Sequence, residues 1–250
     1  MSGNARAVIF GRDAATYERA RPEYPPEAIG HIEALVPAEI AVEVGAGTGK
    51  ATVRIARPDL DLTCLEPSPQ MAEILMSKDL PGVRVLVSTF EEWDGADGSL
   101  DLLYAAQAWH WVDHAMAYRK ALGLLRHGGI LAVMWNIPHA RYEAFEDVYA
   151  EHAPELLTAQ DERIEKRDSV TWAGDMADAG FAAVQRFAHE WSEPLTPEEV
   201  RSLYSTYSDV MMVPEPRRSR FLDGLAAHVE GEGGIFDMGY TTNVFSGVAP

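Results

Sequence analysis

The chain has 250 residues, 47% hydrophobic and 24% charged, enough for one sizeable α/β domain of ordinary globular composition. A net charge of −18 sets the surface against phosphate backbones and argues against DNA or RNA as a substrate. No run approaches the roughly 20 apolar residues of a membrane span.

The first residues, MSGNARAVIFGRD, lack an apolar core long enough for a signal peptide, so a cytoplasmic location is expected. A leader and a first helix around Asp13–Arg19 lead into Arg21-Pro22-Glu23-Tyr24-Pro25-Pro26, a rigid extended turn. Pro26 suits the first position of a helix whose Ala28, Ile29, Ile32, Leu35 and Val36 share one face.

Ile40–Val44 reads as a buried parallel strand, followed by a glycine turn and a helix over Thr48–Ala56. Gly45, Gly47 and Gly49 let the chain turn sharply and let a ligand approach the backbone. The stretch is not a P-loop, because Lys50 is followed by Ala51. It is not a dinucleotide fingerprint either, because Lys50 takes the place of the third glycine. Asp61–Leu65 is the second strand. Glu66 at its end lies 21 residues after Gly45, where a carboxylate can accept from both hydroxyls of a ribose. Ser68 caps the next helix, Pro69 opens it, and Met71, Ile74 and Leu75 form its buried face. The lone cysteine, Cys64, excludes an intramolecular disulfide and reads as a buried inert thiol.

Val83–Val87 is the third strand, running into Ser88-Thr89-Phe90-Glu91-Glu92-Trp93. Leu100–Ala106 is the fourth, with Asp101 in a structural role. Asp113 is placed to cap a helix containing Tyr118, Ala121, Leu122 and Leu125, which His127-Gly128-Gly129 is expected to end. Ile130–Trp135 is the fifth strand. The alternation to this point predicts a doubly wound parallel sheet with right-handed crossovers. Beyond it, residues 138–179 read as helical and charged, with Gly180 as terminator. Ala183–His189 follows as a strand, then a capping box at Thr196-Pro197-Glu198-Glu199. A helix over Phe221–Val229, a turn at Gly231–Gly234 and a strand over Tyr240–Val248 complete the chain.

Glu43-x-Gly45-x-Gly47-Thr48-Gly49 resembles the first motif of class I S-adenosylmethionine (SAM) dependent methyltransferases. The chemistry agrees: SAM has no pyrophosphate to clamp, and its sulfonium and amino group suit acidic residues and carbonyls. Tyr17…Arg21-Pro22-x-Tyr24-Pro25 resembles the N-terminal cap of small-molecule members. Ala106-x-x-Trp109-His110-Trp111-x-Asp113 resembles a branch that includes trans-aconitate methyltransferase-like and natural-product enzymes. The resemblance implies one Rossmann-like domain with a seven-stranded, mostly parallel sheet whose last strand is antiparallel. Residues 1–38 would form a helical cap, with helical insertions at 139–180 and 195–232 over the substrate pocket. SAM would meet Glu43, Gly45, Ala46, Gly47, Thr48 and Gly49, then Glu66, Pro67 and Met71. Its adenine would meet the turn Thr89, Phe90, Glu91, and its methyl group would point to Ala106 and Gln107. Ser88-Thr89-Phe90 departs from the Gly-Asp or Gly-Thr often found in the family.

The acceptor would meet Tyr17, Arg21, Tyr24, Trp109 and Trp111, with His110 between the tryptophans. Aromatic faces favour a cation, and a histidine titrates in the range of a general base. His110 is therefore read as a base, as a positioning donor, or as a packed core residue. The expected reaction is methyl transfer to a small-molecule carboxylate, hydroxyl or amine. A peptide terminus or side chain as acceptor, and a non-catalytic SAM-binding regulator, are the alternatives. The histidines at 114, 127, 139, 152, 189 and 228 lack metal-ligand spacing, and no HExxH or GxSxG occurs, so neither a metal nor hydrolase chemistry is expected. Leu203–Ser208 and Met211-Met212 either cap the pocket or belong to the core.

Overall fold

The computed structural model describes residues 13–139, 143–158 and 169–250. Residues 1–12 of the expected cap, and residues 140–142 and 159–168 of the charged helical stretch, lie outside the described residues.

The chain begins with α1 (Ala14–Ala20) and α2 (Pro26–Leu35) and then alternates into a sheet. The strands are β1 (Ile40–Val44), β2 (Asp61–Leu65), β3 (Val83–Leu86), β4 (Leu100–Ala106), β5 (Leu125–Pro138), β6 (Ala182–Leu195) and β7 (Phe236–Val248). They form a seven-stranded sheet in the order β3-β2-β1-β4-β5-β7-β6. β1 to β5 pair in parallel, and β7 runs antiparallel to both β5 and β6, as expected.

Period-two alternation splits the core. Val42 and Val44 of β1 face one side with Leu103, Leu131 and Trp135. Ala41 faces the other with Leu62, Leu102 and Met134. The first side is covered by α5 (His114–Leu124) and α8 (Ser169–Ala179). The second is covered by α2, α3 (Thr52–Ile55) and α4 (Pro69–Ser77). Fully buried aliphatics such as Ile32 and Leu62 each contribute about 1.5–3 kcal/mol to holding these layers together. A third core joins α6 (Glu146–His152), α7 (Pro154–Thr158), α9 (Pro197–Ser205), α10 (Ser208–Met211) and α11 (Arg217–Gly231) to the ends of β6 and β7. Leu203, Tyr204 and Tyr207 pack inside it, while Met212 is exposed.

Three expectations change. The helix after β1 spans only Thr52–Ile55, because Gly47 and Gly49 take left-handed φ values of +58° and +89° that no α-helix accommodates. His127-Gly128-Gly129 does not end α5, which stops at Leu124; it lies inside β5. There the pairing jumps from Leu100–Leu125 to Leu102–Ile130, and a Cβ on Gly129 would sit 2.8 Å from the Leu100 carbonyl. The glycines serve this bulge, not a helix cap. Finally, the alternation lapses between β3 and β4, where residues 87–99 carry no helix.

Asp101 ties the start of β1 to β4. Its Oδ2 accepts from the backbone N–H of Glu39 and Ile40 at 2.8 and 2.9 Å, and its Oδ1 pairs with Arg126. These partners outweigh its partial burial and hold its carboxyl below the usual range.

Candidate active site

The direction of strand succession reverses between β1 and β4. The C-terminal edge of the sheet at that point is where an α/β fold opens a ligand crevice. The glycine loop lies there. The N–H groups of Gly45 and Ala46 both donate to the Leu65 carbonyl, at 2.8 and 3.0 Å, which closes the loop over the end of β2. Gly45 has φ +67°, and a Cβ on it would lie 2.5 Å from the Cβ of Ala108, so the loop rests directly on the turn after β4. Gly47 differs. Its φ is +58°, but a Cβ there would meet nothing within 4 Å, so this glycine borders open space.

Glu66 lies beside that space. Its Oε2 accepts from the N–H of Gly47 and its Oε1 from the N–H of Ser68, both at 2.8 Å. Burial lifts the Glu66 pKa, and the two backbone donors oppose the lift. Each oxygen keeps a further lone pair, so the carboxylate is held in place without being saturated. Pro67 is partly exposed beside it, whereas Met71 is buried in α4, whose N-cap is the Ser68 hydroxyl.

Glu43 points the other way. Its carboxyl is 1% exposed, and Oε2 accepts from the Thr52 hydroxyl at 2.6 Å and the Tyr104 hydroxyl at 2.8 Å. Burial raises its pKa to about 7, with those hydrogen bonds opposing and nearby Glu66 adding to the rise. Glu43 thus braces α3 and β4 from behind the loop instead of facing the crevice. Ala46, Thr48 and Gly49 are also buried, with Gly49 packed on Leu75.

In the turn after β3, Thr89 is partly exposed and Glu91 is exposed, but Phe90 is buried against Trp109, ring centres 5.7 Å apart. The turn is pinned from α5. Lys120 Nζ donates to the carbonyls of Phe90 at 2.7 Å, Glu91 at 3.1 Å and Trp93, and Glu91 Oε1 accepts from the Asp113 N–H at 3.1 Å.

β4 ends at Ala106. Gln107 takes a left-handed φ of +57°, its N–H donating to the Met134 carbonyl at 2.8 Å and its Nε2 to the Asn136 carbonyl at 3.0 Å. A single 3-10 turn, Trp109–Trp111, follows. The structure separates the triplet: Trp109 is wholly buried between Phe90 and Tyr118, whereas His110 and Trp111 are half-buried. The Trp135 indole N–H of β5 donates to His110 Nδ1 at 3.3 Å.

The N-terminal turn reaches the same edge through Asn136, whose Nδ2 donates to the Glu23 carbonyl at 3.0 Å and whose Oδ1 accepts from Thr242 at 2.7 Å. Tyr24 is buried and Tyr17 partly so. The Arg21 guanidinium stacks over Tyr207 at 4.4 Å and Tyr17 at 5.3 Å and donates to the Thr206 carbonyl at 2.8 Å. Its Nε is buried without a partner, and it forms no ion pair among the described residues. Asn136, Trp135 and Lys120 were not anticipated; no short-range motif marks them.

Among the described residues no three His, Cys, Asp or Glu side chains converge as a metal site. A cavity of about 420 Å³ lies elsewhere, on the sheet face that the helix-free β3–β4 connection leaves open, lined by Val42, Thr63, Arg84 and Trp93.

Comparison with known proteins agrees with this geometry. A family model for a methyltransferase domain matches residues 42–133. An uncharacterized methyltransferase of Mycobacterium tuberculosis is 36% identical over 219 residues, 87% of this chain and 84% of the relative. Among solved structures, a protein of Anaeromyxobacter dehalogenans assigned to the type II methyltransferases superposes with TM-score 0.65 at 18% identity, covering 92% of this chain and 98% of that one. A SAM-dependent methyltransferase of Thermotoga maritima superposes with TM-score 0.54 at 21% identity, covering 98% of this chain and 100% of that one. A glycine loop at the switch point, a braced carboxylate one strand away and a relative matched over most of its length converge: the chain belongs to the class I SAM-dependent methyltransferase family.

Proposed function

We propose that the chain transfers the methyl group of SAM to a small-molecule acceptor at the C-terminal edge of β1 and β4. The observation that carries this is Glu66, fixed by the backbone N–H groups of Gly47 and Ser68 with lone pairs to spare, next to a glycine with open space before it. These residues fit SAM. Glu66 accepts the ribose hydroxyls, with Pro67 beside it. Gly45 and Gly47 let the backbone approach the methionyl part. The Thr89–Glu91 turn borders the adenine, and Ala106 and Gln107 border the reacting end. Bound there, SAM supplies an electrophilic methyl on a cationic sulfur. Behind these contacts stand Glu43, Ala46, Thr48, Gly49, Met71 and Phe90, buried as Glu66 itself is.

On the acceptor side, Tyr17, Arg21, His110 and Trp111 are the partly exposed groups, with Tyr24 and Trp109 packed beneath them. The Arg21 cation, without an ion-pair partner among the described residues, favours a small anionic molecule over a peptide chain. The N-terminal helices and the helices on either side of β6 form the walls of this pocket, within one domain. A cytoplasmic location is in keeping with the reading, and no helix among the described residues is long and apolar enough to cross a membrane.

Calorimetry with S-adenosylhomocysteine (SAH) tests the site. Glu66→Ala should cost roughly 1.5–3 kcal/mol of SAH affinity, the worth of hydrogen bonds to a charged group. An unchanged dissociation constant, or tighter binding of NAD than of SAH by the unmodified protein, would refute the assignment. SAH binding without turnover on any acceptor would instead indicate a regulator.

A further inference from the structure

His110 could serve methyl transfer as a base or as a donor, and its contact with Trp135 separates the two. An indole N–H only donates. Trp135 Nε1 lies 3.3 Å from His110 Nδ1, so Nδ1 accepts, and the single proton of the neutral imidazole sits on Nε2. Trp135 is held in that orientation. It is 3% exposed, stacks on Trp172 with ring centres 4.5 Å apart and 25° between planes, and abuts Phe245. Trp111 packs against the imidazole at 4.5 Å. Whatever Nε2 meets, it meets as a donor. The turn that carries His110 is seated on the glycine loop through Ala108 and Gly45.

We propose, on the reading that the glycine loop holds SAM, that His110 acts through its Nε2–H as a hydrogen-bond donor to the methyl acceptor, and that this acceptor is a carboxylate. A neutral amine has one lone pair, which cannot both accept from Nε2–H and attack carbon. An alcohol has two lone pairs but must lose a proton, and the Nδ1 lone pair that could take it is occupied by Trp135. A carboxylate oxygen accepts from Nε2–H with one lone pair and attacks with another. In that step the carboxylate O–C bond forms as the S–C bond breaks, and the bonding pair stays on sulfur. The sulfonium and carboxylate charges cancel, giving a methyl ester and SAH with no proton moved. Arg21 adds a cation without an ion-pair partner among the described residues.

The test uses the whole chain. ¹⁵N-histidine NMR of the unmodified protein at pH 8 should show Nδ1 of His110 as the unprotonated nitrogen and Nε2 as protonated, a pattern lost in Trp135→Phe. A panel of malonate, succinate, citrate, octanoate and benzoate, with 1-octanol, octylamine, benzyl alcohol and benzylamine, is assayed for SAH release and for the methylated product by mass. Methyl esters are expected. On an accepted acid, His110→Ala should lower turnover or raise KM by about 10–100-fold. His110→Gln, whose amide N–H can stand in for Nε2–H but cannot act as a base, should restore most of the loss. Protonation on Nδ1, methylation of alcohols or amines with every acid inert, no methylation of any panel acid, or Gln no better than Ala in a protein of unchanged melting temperature would each overturn the proposal. Failure of the unmodified protein to bind SAH would sink the SAM reading itself, whereas SAH binding with the opposite tautomer would sink only this inference.

Discussion

Glu43 offers a sharp test, because its environment sets a sign as well as a size. Its carboxyl is 1% exposed and its pKa is raised from 4.5 to about 7, chiefly by burial. A carboxyl with a raised folded-state pKa binds its proton more tightly in the native chain than in the unfolded one. Its stabilising contribution is whole below pH 4.5 and is lost as pH rises through 7. Each pH unit in that window costs about 1.36 kcal/mol, so ionised Glu43 costs the fold about 3 kcal/mol at pH 8. Glu43→Gln removes the ionisation. The amide oxygen can still accept from Thr52 and Tyr104, whose hydroxyls both reach Oε2. Urea unfolding of both proteins from pH 4.5 to 8 should show the stability difference, variant minus wild type, growing in favour of the variant by about 3 kcal/mol, with the urea slope unchanged. A difference independent of pH, or a variant less stable at pH 8, would refute the linkage. SAH affinity should be unaltered by the same substitution, since Glu43 braces the loop from behind; a tenfold loss would put it in contact with ligand after all.

Two further expectations follow from the loop and the N-terminal turn. Gly45→Ala and Gly47→Ala both force a Cβ onto left-handed backbone, at roughly 1–2 kcal/mol each. Only Gly45 also collides, with Ala108, adding roughly 1–3 kcal/mol of overpacking, so its urea midpoint should fall much further. Gly47→Ala should spare stability and weaken SAH, and equal losses in both properties would contradict the open space assigned to Gly47. Asn136→Ala removes the donor to the Glu23 carbonyl and the acceptor of the Thr242 hydroxyl, which keeps only its bond from the Trp191 indole N–H, at about 1–3 kcal/mol. Hydrogen exchange in α1 should quicken more than exchange in β1, and uniform exchange in both would mean that Asn136 does not anchor the turn.

What was legible in the sequence was what short-range chemistry specifies. β1, β2 and β4 have the bounds that their short, mostly apolar segments predict. Ser68 caps α4 and Thr196 forms its capping box with Glu199, because a cap is satisfied within four residues of itself. Gly180 does end α8, with φ +104° and its N–H on the Ala177 carbonyl. The departures from local pattern fall where a distant partner decides. Gly128-Gly129 has the composition of a helix end, but Leu100 across the sheet makes it a bulge. Glu43 stands next to the glycine loop in sequence. The strand's alternation nevertheless turns it toward Thr52 and Tyr104, on the side opposite Val42 and Val44.

The candidate site divides on the same line. Its backbone half was readable because a glycine loop and a carboxylate one strand on are local patterns with a fixed geometry. Its side-chain half was not, because the state of each group is set by a residue remote in the chain. His110 has the composition of a base, and its neighbour in the turn, Trp111, packs on its ring. Trp135, 25 residues on, takes its Nδ1 lone pair and makes it a donor. Asn136, the next residue of β5, points to the opposite face and holds Glu23 across 113 residues. Two consecutive side chains of one strand therefore set the protonation pattern on one side of the crevice and the position of the Arg21 turn on the other. Lengthening or shortening β5 by one residue would exchange their faces and undo both at once.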